Sequence, residues 1–172
     1  MSSLNSARLD SQLRIAHINI GGGIQKKLDE ILKIAVDNQL DIVGISETFL
    51  QDDLNVPGFS WFGKNSVEGK KRKGVGFLVP HKVKAFDIDE TWTGQDPRYD
   101  VKWIGIDNGT LCLAVAVIYV PAGCQASFRD QLWIDIEKAV VALQTKGFNI
   151  VLTGDLNAHI NIQSYQMNHD RV

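Results

Sequence analysis

Five polar residues of this 172-residue chain stand where apolar, strand-like runs stop: Asn19, Glu47, Tyr119, Asp155 and Asn157. Asn19 ends the first run and precedes Gly21-Gly22-Gly23, and Glu47 follows the run at 41–46. Tyr119 ends a long apolar run, and Asp155 follows the last one, with Asn157 two residues on. Carboxylates and amides are hard oxygen ligands, suited to Mg²⁺ or Mn²⁺ rather than zinc. A metal held among them would polarise a phosphoryl oxygen and stabilise the charge that builds on displacement. A nearby acid could orient or deprotonate water, and a phenol could donate a hydrogen bond to a developing oxyanion. If the strands behind these residues are neighbours in one sheet, the groups converge at one rim. Open α/β sheets often place active sites at such an edge.

Each residue taken alone has a plainer reading. Asn19 before three glycines is a good turn former. Glu47 in Ser46-Glu47-Thr48 could be a surface carboxylate. Tyr119 could be a core aromatic whose hydroxyl reaches the edge. Asp155 and Asn157, in Gly154-Asp155-Leu156-Asn157, could form an Asx turn, although a Gly-Asp-x-Asn turn also holds two polar side chains near one point. The combination, in order, carries more than its parts.

The elements that must position these groups alternate between strand and helix types, which points to a mixed α/β protein. Residues 13–20 read as a strand that stops at the glycines. Leu28, Ile31, Leu32 and Ala35 have the spacing of an amphipathic helix. Residues 41–46 (DIVGIS) read as a buried strand, and 74–79 and 83–88 as two more, with Pro80 as a break. Residues 99–106 and 111–120 form a hairpin across Asn108-Gly109, whose residues tolerate positive φ. The second of these strands is almost wholly apolar, so it should be buried on both faces. Ser127 and Asp130 resemble a capping box. Phe128, Leu132, Ile136, Ala139, Val140 and Leu143 then make one apolar stripe, closed by Gly147. Residues 149–153 are the last clear strand.

Composition sets the frame. With 44% hydrophobic and 22% charged residues, the chain has an ordinary globular balance and the length of one domain. Residues 1–12 are polar and Ser-rich and read as a disordered N-terminal tail, with the domain spanning 13–172. That tail lacks the apolar core of a signal peptide, and no run is long enough for a membrane helix. The expectation is an intracellular protein, nuclear or cytoplasmic, not secreted and with no membrane partner. Cys112 lies in an apolar run and reads as a small hydrophobe. With Cys124 it makes neither a zinc pattern nor a disulfide framework. The net charge of −2 argues against dedicated tight nucleic-acid binding. A local basic loop, Lys70-Lys71-Arg72-Lys73, reads either as a solvated turn or as a phosphate-contacting loop.

The ordered set resembles the endonuclease/exonuclease/phosphatase family, which includes DNase I-like nucleases and apurinic endonucleases. Ile18-Asn19-Ile20-Gly21 resembles its first motif, and Ile45-Ser46-Glu47-Thr48 the motif with its metal-binding Glu. Ile118-Tyr119-Val120-Pro121 is similar to its Tyr-x-Pro motif. Gly154-Asp155-Leu156-Asn157-Ala158-His159 is similar to its Gly-Asp-Phe-Asn motif. Glu47-Thr48-Phe49-Leu50, the glycine-rich run at 74–79 after a basic loop, and the Asn-Ala-His ending resemble the endonuclease domains of non-LTR retrotransposons. No single motif is specific, but four stand in order with suitable spacing, and the resemblance runs from about Leu13 to His159. The resemblance implies a DNase I-like sandwich of two mixed sheets flanked by helices. It implies a divalent-metal-dependent phosphodiester hydrolase that nicks DNA, leaving 3′-hydroxyl and 5′-phosphate ends. Glu47 would be the main metal ligand, helped by Asn19, with Mg²⁺ or Mn²⁺ as the ion. Asp155 would position or activate water, Asn157 would hold the scissile phosphate or orient its neighbours, and Tyr119 would stabilise the transition state. Lys71, Arg72 and Lys73 would contact nucleic acid, and a reverse transcriptase region would follow in the parent polypeptide.

The family pattern continues with a second Asp-containing motif and a Ser-Asp-His, and neither stands in these 172 residues. His169-Asp170 has the reverse order, and His17 and His81 read as structural or surface residues. The expectation is therefore the N-terminal part of the domain, with an incomplete second sheet and an exposed inner face on the first. A catalytically inactive remnant or half-domain that binds metal, nucleic acid or protein is the alternative function. A phosphatase or phospholipid phosphodiesterase is the weaker one.

Overall fold

Among the described residues, apolar residues with period two make eight strands, and two stripes with helical period make two helices. In chain order these are β1 (Ile15–Asn19), α1 (Ile24–Asp37), β2 (Ile42–Ser46), β3 (Phe59–Lys64), β4 (Val75–Pro80), β5 (Ala85–Asp87), β6 (Asp100–Asp107), β7 (Cys112–Tyr119), α2 (Ala126–Thr145) and β8 (Asn149–Asp155). The structure is a computed structural model that describes residues 12–66, 73–89, 99–107, 109 and 111–158. Apart from Gln12, the expected tail lies outside the described residues, as do Lys71, Arg72, Asn108 and His159. No helix among the described residues is long and apolar enough to cross a membrane.

The strands form two mixed sheets, ordered β1-β2-β4-β3 and β5-β6-β7-β8. In the first, β1 and β2 run parallel while β4 is antiparallel to both β2 and β3. In the second, β7 and β8 run parallel and the other pairs are antiparallel. The sheets pack face to face. Ile42, Phe77 and Val79 of the first meet Ile104, Val115 and Val117 of the second in one buried cluster. At Gly44 the layers are so close that a Cβ would lie 3.5 Å from both Val117 and Thr153.

Each sheet is covered on its outer face by a helix. Ile24, Ile31 and Ala35 of α1 cover Val43, Ile45 and Leu78. Leu132, Ile136, Ala139 and Leu143 of α2 cover Trp103, Ala114, Ala116 and Ile118. The unbroken apolar run of β7 is thereby explained, because alternate residues face the inter-sheet core and α2.

Most expected elements form, with four corrections. The centre of the first sheet's inner face is not exposed, since Ile42, Phe77 and Val79 are fully buried under β6 and β7. The strand β3 was not legible. Its sequence, FSWFGK, holds only partly buried positions before Lys64 and shows no clean alternation. The capping box at Ser127 does not form, because α2 starts at Ala126 and puts Ser127 inside the helix, with no side-chain cap at Gln125. Cys112 opens β7 and is only partly buried.

The run β8 extends past 153 to include Gly154 and Asp155. Gly154 has φ 142°, and a Cβ there would fall 1.9 Å from the Ile118 carbonyl oxygen. Only glycine lets β8 stay paired to β7 through this residue. Gly154→Ala should cost on the order of 3 kcal/mol, from overpacking and backbone strain together. Gly109→Ala, at φ 84° with open space around its Cβ, should cost only the strain, about 1 kcal/mol. Urea unfolding of both variants measures the difference, and equal losses would contradict this account of Gly154.

Candidate active site

Strand parity decides which side chains meet. Ile15 of β1 belongs to the inter-sheet core, so His17 and Asn19 share its face. By the same rule Val151 places Asp155 inward on β8, and Val117 is followed inward by Tyr119 on β7. Ladder register then aligns the strand ends. Asn19 pairs with Ser46, which pairs with Val75. In the other sheet Asp100 pairs with Tyr119, which pairs with Asp155. The groups therefore converge at the mouth between two sheets. The expectation of a single sheet rim is corrected, because β1 and β2 belong to one sheet and β7 and β8 to the other.

Asn19 joins the two sides. Its Nδ2 donates to Asp155 Oδ2 at 2.6 Å and to Glu47 Oε1 at 3.3 Å. Its Oδ1 accepts the Gly21 N–H at 3.0 Å, which fixes the amide's orientation. The second carboxylate oxygen of Glu47 accepts from Lys73 Nζ at 3.3 Å. That ammonium also lies 5.4 Å from the Phe49 ring centroid and 5.9 Å from that of Tyr119. Asn157, in the left-handed region at φ 42°, donates its backbone N–H to Asp155 Oδ1 and its Nδ2 to the Val120 carbonyl. The turn after β8 thus holds Asp155 through its backbone and leaves Asn157 tied to the Tyr-x-Pro segment.

Backbone strain is concentrated here. Glu47 and Phe49 both have positive φ, 55° and 52°. Such values are rare for non-glycine residues and stand out for a bulky one. The surroundings over-determine them. Gly22 N–H donates to the Glu47 carbonyl at 2.7 Å, Thr48 N–H to Gly74 at 3.2 Å, and Phe49 N–H to Lys73 at 2.7 Å.

The electrostatics separate the roles of acid and donor. Partial burial works to raise the Glu47 carboxyl, but hydrogen bonds from Tyr119, Asn19 and Lys73 outweigh it and hold it below the usual carboxylate range. Burial pushes the Tyr119 hydroxyl up, and its bond to ionised Glu47 and the charges of Asp155 and Asp100 push it further. Tyr119 is therefore a protonated donor at neutral pH. Burial lowers the His17 imidazole, partly offset by Asp155, so the ring whose Nε2 meets Ser46 Oγ at 3.1 Å adds no positive charge.

The donor set fits a hard divalent cation. Among the described residues there is no cluster of three or more His, Cys, Asp or Glu. Mg²⁺ needs none, because it commonly binds through one or two carboxylates and keeps several waters. Glu47 supplies such a carboxylate beside Asn19, and it already accepts from the Lys73 ammonium, so it is placed to meet a cation.

The model of the Endonuclease/Exonuclease/phosphatase family matches residues 16–167. The chain belongs to this family. The sandwich described above is its DNase I-like fold. Among solved structures, the endonuclease domain of TRAS1, a telomere-specific non-LTR retrotransposon, superposes with TM-score 0.65 at 13% identity, over 86% of this chain and 62% of that one. The 3′ phosphatase NExo from Neisseria, bound to product DNA hairpin, gives 0.61 at 17% identity, over 85% and 58%. The human Nocturnin catalytic domain gives 0.59 at 17% identity, over 86% and 64%. The chain thus spans about six tenths of the length of each of these structures. No curated protein sequence matches it.

Within this family member the structure brings Asn19, Glu47, Tyr119, Asp155 and Asn157 together. Of the basic loop, only Lys73 lies among the described residues, and its ammonium reaches Glu47. Two neighbours were not assigned to the site from sequence. His17 sits beneath Asn19 on the same strand face, and Asp100, 4% exposed, accepts the Lys73 N–H at 3.0 Å. An acid opening an apolar strand was the available signal for Asp100. Lys73→Met removes one of the donors that depress Glu47, so its carboxyl should titrate at higher pH. Carbon-detected NMR of the Glu47 side chain measures this, and an unmoved titration would show that the pair is screened away.

Proposed function

We propose that this chain is the metal-dependent catalytic region of a DNA-nicking endonuclease of the retrotransposon type. One observation carries the reading: Asn19, at the end of β1, bridges Glu47 after β2 and Asp155 of β8 in the other sheet. The family's members are hydrolytic nucleases or phosphatases. Support for DNA comes from the Neisseria neighbour, bound to a DNA hairpin, and from the retrotransposon endonuclease domain.

In this reading Glu47, with Asn19 beside it, holds Mg²⁺ or Mn²⁺. Bound there, the ion would act as a Lewis acid that polarises a phosphoryl oxygen and offsets the negative charge built up on displacement. Asp155, held in place by the Asn19 amide and the Asn157 backbone, takes a proton from the attacking water as its oxygen bonds to phosphorus; the P–O3′ bond breaks and the departing 3′ oxygen takes a proton from solvent to become the 3′-hydroxyl. The raised Tyr119 hydroxyl keeps its proton and donates a hydrogen bond to the phosphoryl oxygen that gains charge. Asn157 steadies the scissile phosphate, and Lys73 draws the polyanion toward the site, with Lys71 and Arg72 extending that basic stretch. A reverse transcriptase region in the same parent polypeptide would use the 3′-hydroxyl end.

The test is nicking of supercoiled plasmid by the 172-residue chain, with Mg²⁺ against chelator. Glu47→Ala and Asp155→Ala should abolish nicking, and Tyr119→Phe should slow it roughly 10²-fold, as for loss of one oxyanion donor. A folded chain with no Mg²⁺-dependent nicking would replace this reading with a non-catalytic remnant. Hydrolysis of phosphomonoesters or phospholipids without nicking would assign it to another branch of the family.

A further inference from the structure

The segment after Glu47 holds an aromatic side chain in water. Thr48 and Leu50 are buried, at 2% and 7% exposure, while Phe49 between them is 46% exposed. Leu50 belongs to the core cluster under α1, and Phe49 belongs to none. Left-handed backbone at an aromatic residue is unfavourable, and an exposed ring returns little burial to offset it. Yet the position is fixed. The Phe49 N–H is bonded to Lys73, Thr48 to Gly74, and the Leu50 carbonyl accepts the Ser66 N–H at 2.7 Å. The ring rests against Gly22, where a Cβ would come within 2.9 Å of Cδ2. The Lys73 ammonium lies 5.4 Å from its centroid and 3.3 Å from Glu47.

A strained, rigid, solvent-facing ring beside a phosphate-handling centre has one well-matched ligand. A nucleotide chain presents a flat apolar base and sugar next to every phosphate, and stacking on an aromatic ring tolerates any base. We propose that Phe49 is the nucleoside-contacting platform of the site, stacking on the nucleoside that flanks the scissile phosphate. Lys73 supplies the charge that attracts the polyanion. This inference rests on the proposed action on DNA, and it adds the group that recognises the nucleoside rather than the phosphate.

The experiment measures binding of a fluorescein-labelled DNA duplex with a short single-stranded gap, whose unpaired bases expose their faces, by anisotropy over a salt series. The chain carries Asp155→Asn throughout and Mg²⁺ is present, so that the proposed metal ligand Glu47 is kept and the duplex is bound without being cut. Phe49→Ala should weaken binding roughly tenfold, within the range for loss of one aromatic–base stack. Its salt dependence should match that of the parent. Phe49→Trp should bind like the parent, and Phe49→Leu should bind like Phe49→Ala. Lys73→Met, by contrast, should reduce the salt slope by about one, as expected for a lost phosphate contact. Melting curves confirm that each variant is folded. Binding by Phe49→Ala equal to the parent's would overturn the inference. So would full rescue by Phe49→Leu, which would mean packing alone. Either result leaves plasmid nicking by the native chain as the separate test of the DNA reading. A parent that binds no duplex overturns both.

Discussion

Two carboxylates from different sheets share one amide donor, and the site depends on that contact. Glu47 and Asp155 would repel each other across the mouth of the sandwich if nothing stood between them. Asn19 donates to both, and its own carbonyl is locked by Gly21, so the amide cannot turn away. The bridge has a second effect. It ties β1 to β8, the outer strands of two different sheets, at the point where the inter-sheet core ends. Asn19 is therefore at once a structural clamp and the centre of the charge arrangement.

Around that clamp the backbone takes conformations that most residues avoid. Glu47 and Phe49 have positive φ, and Gly154 has a conformation and a space that admit no side chain. These departures lie on the residues that carry or flank the chemistry, consistent with local strain held by a rigid scaffold. The scaffold supplies the rigidity through three clusters: one between the sheets and one under each helix. Lys73 links the site to both sheets. Its carbonyl holds Phe49, its N–H is held by Asp100 of β6, and its ammonium meets Glu47.

The sequence by itself determined the candidate chemistry and most of the elements. Strand and helix periods are local, so β1, β2, β4, β5, β6, β7, β8 and both helices were legible from apolar spacing. Polar residues at strand ends were legible for the same reason, since an apolar run that stops at Asn, Glu, Tyr or Asp is visible without a fold. The local signal failed at β3, where partial burial leaves no alternation, and at Ser127, which lies inside a helix that already begins at Ala126.

Only the tertiary structure decided which groups meet. Strand pairing is non-local, so nothing in the sequence said that β1 with β2 and β7 with β8 would lie in opposite sheets. That assignment turned an expected sheet rim into a mouth between layers. It also brought Asn19 and Asp155, 136 residues apart, within hydrogen-bond distance. The inward aim of Lys73 has the same origin. Its charge was visible in a basic loop, but the start of β4 beside Glu47 and Asp100 fixed the direction of its side chain.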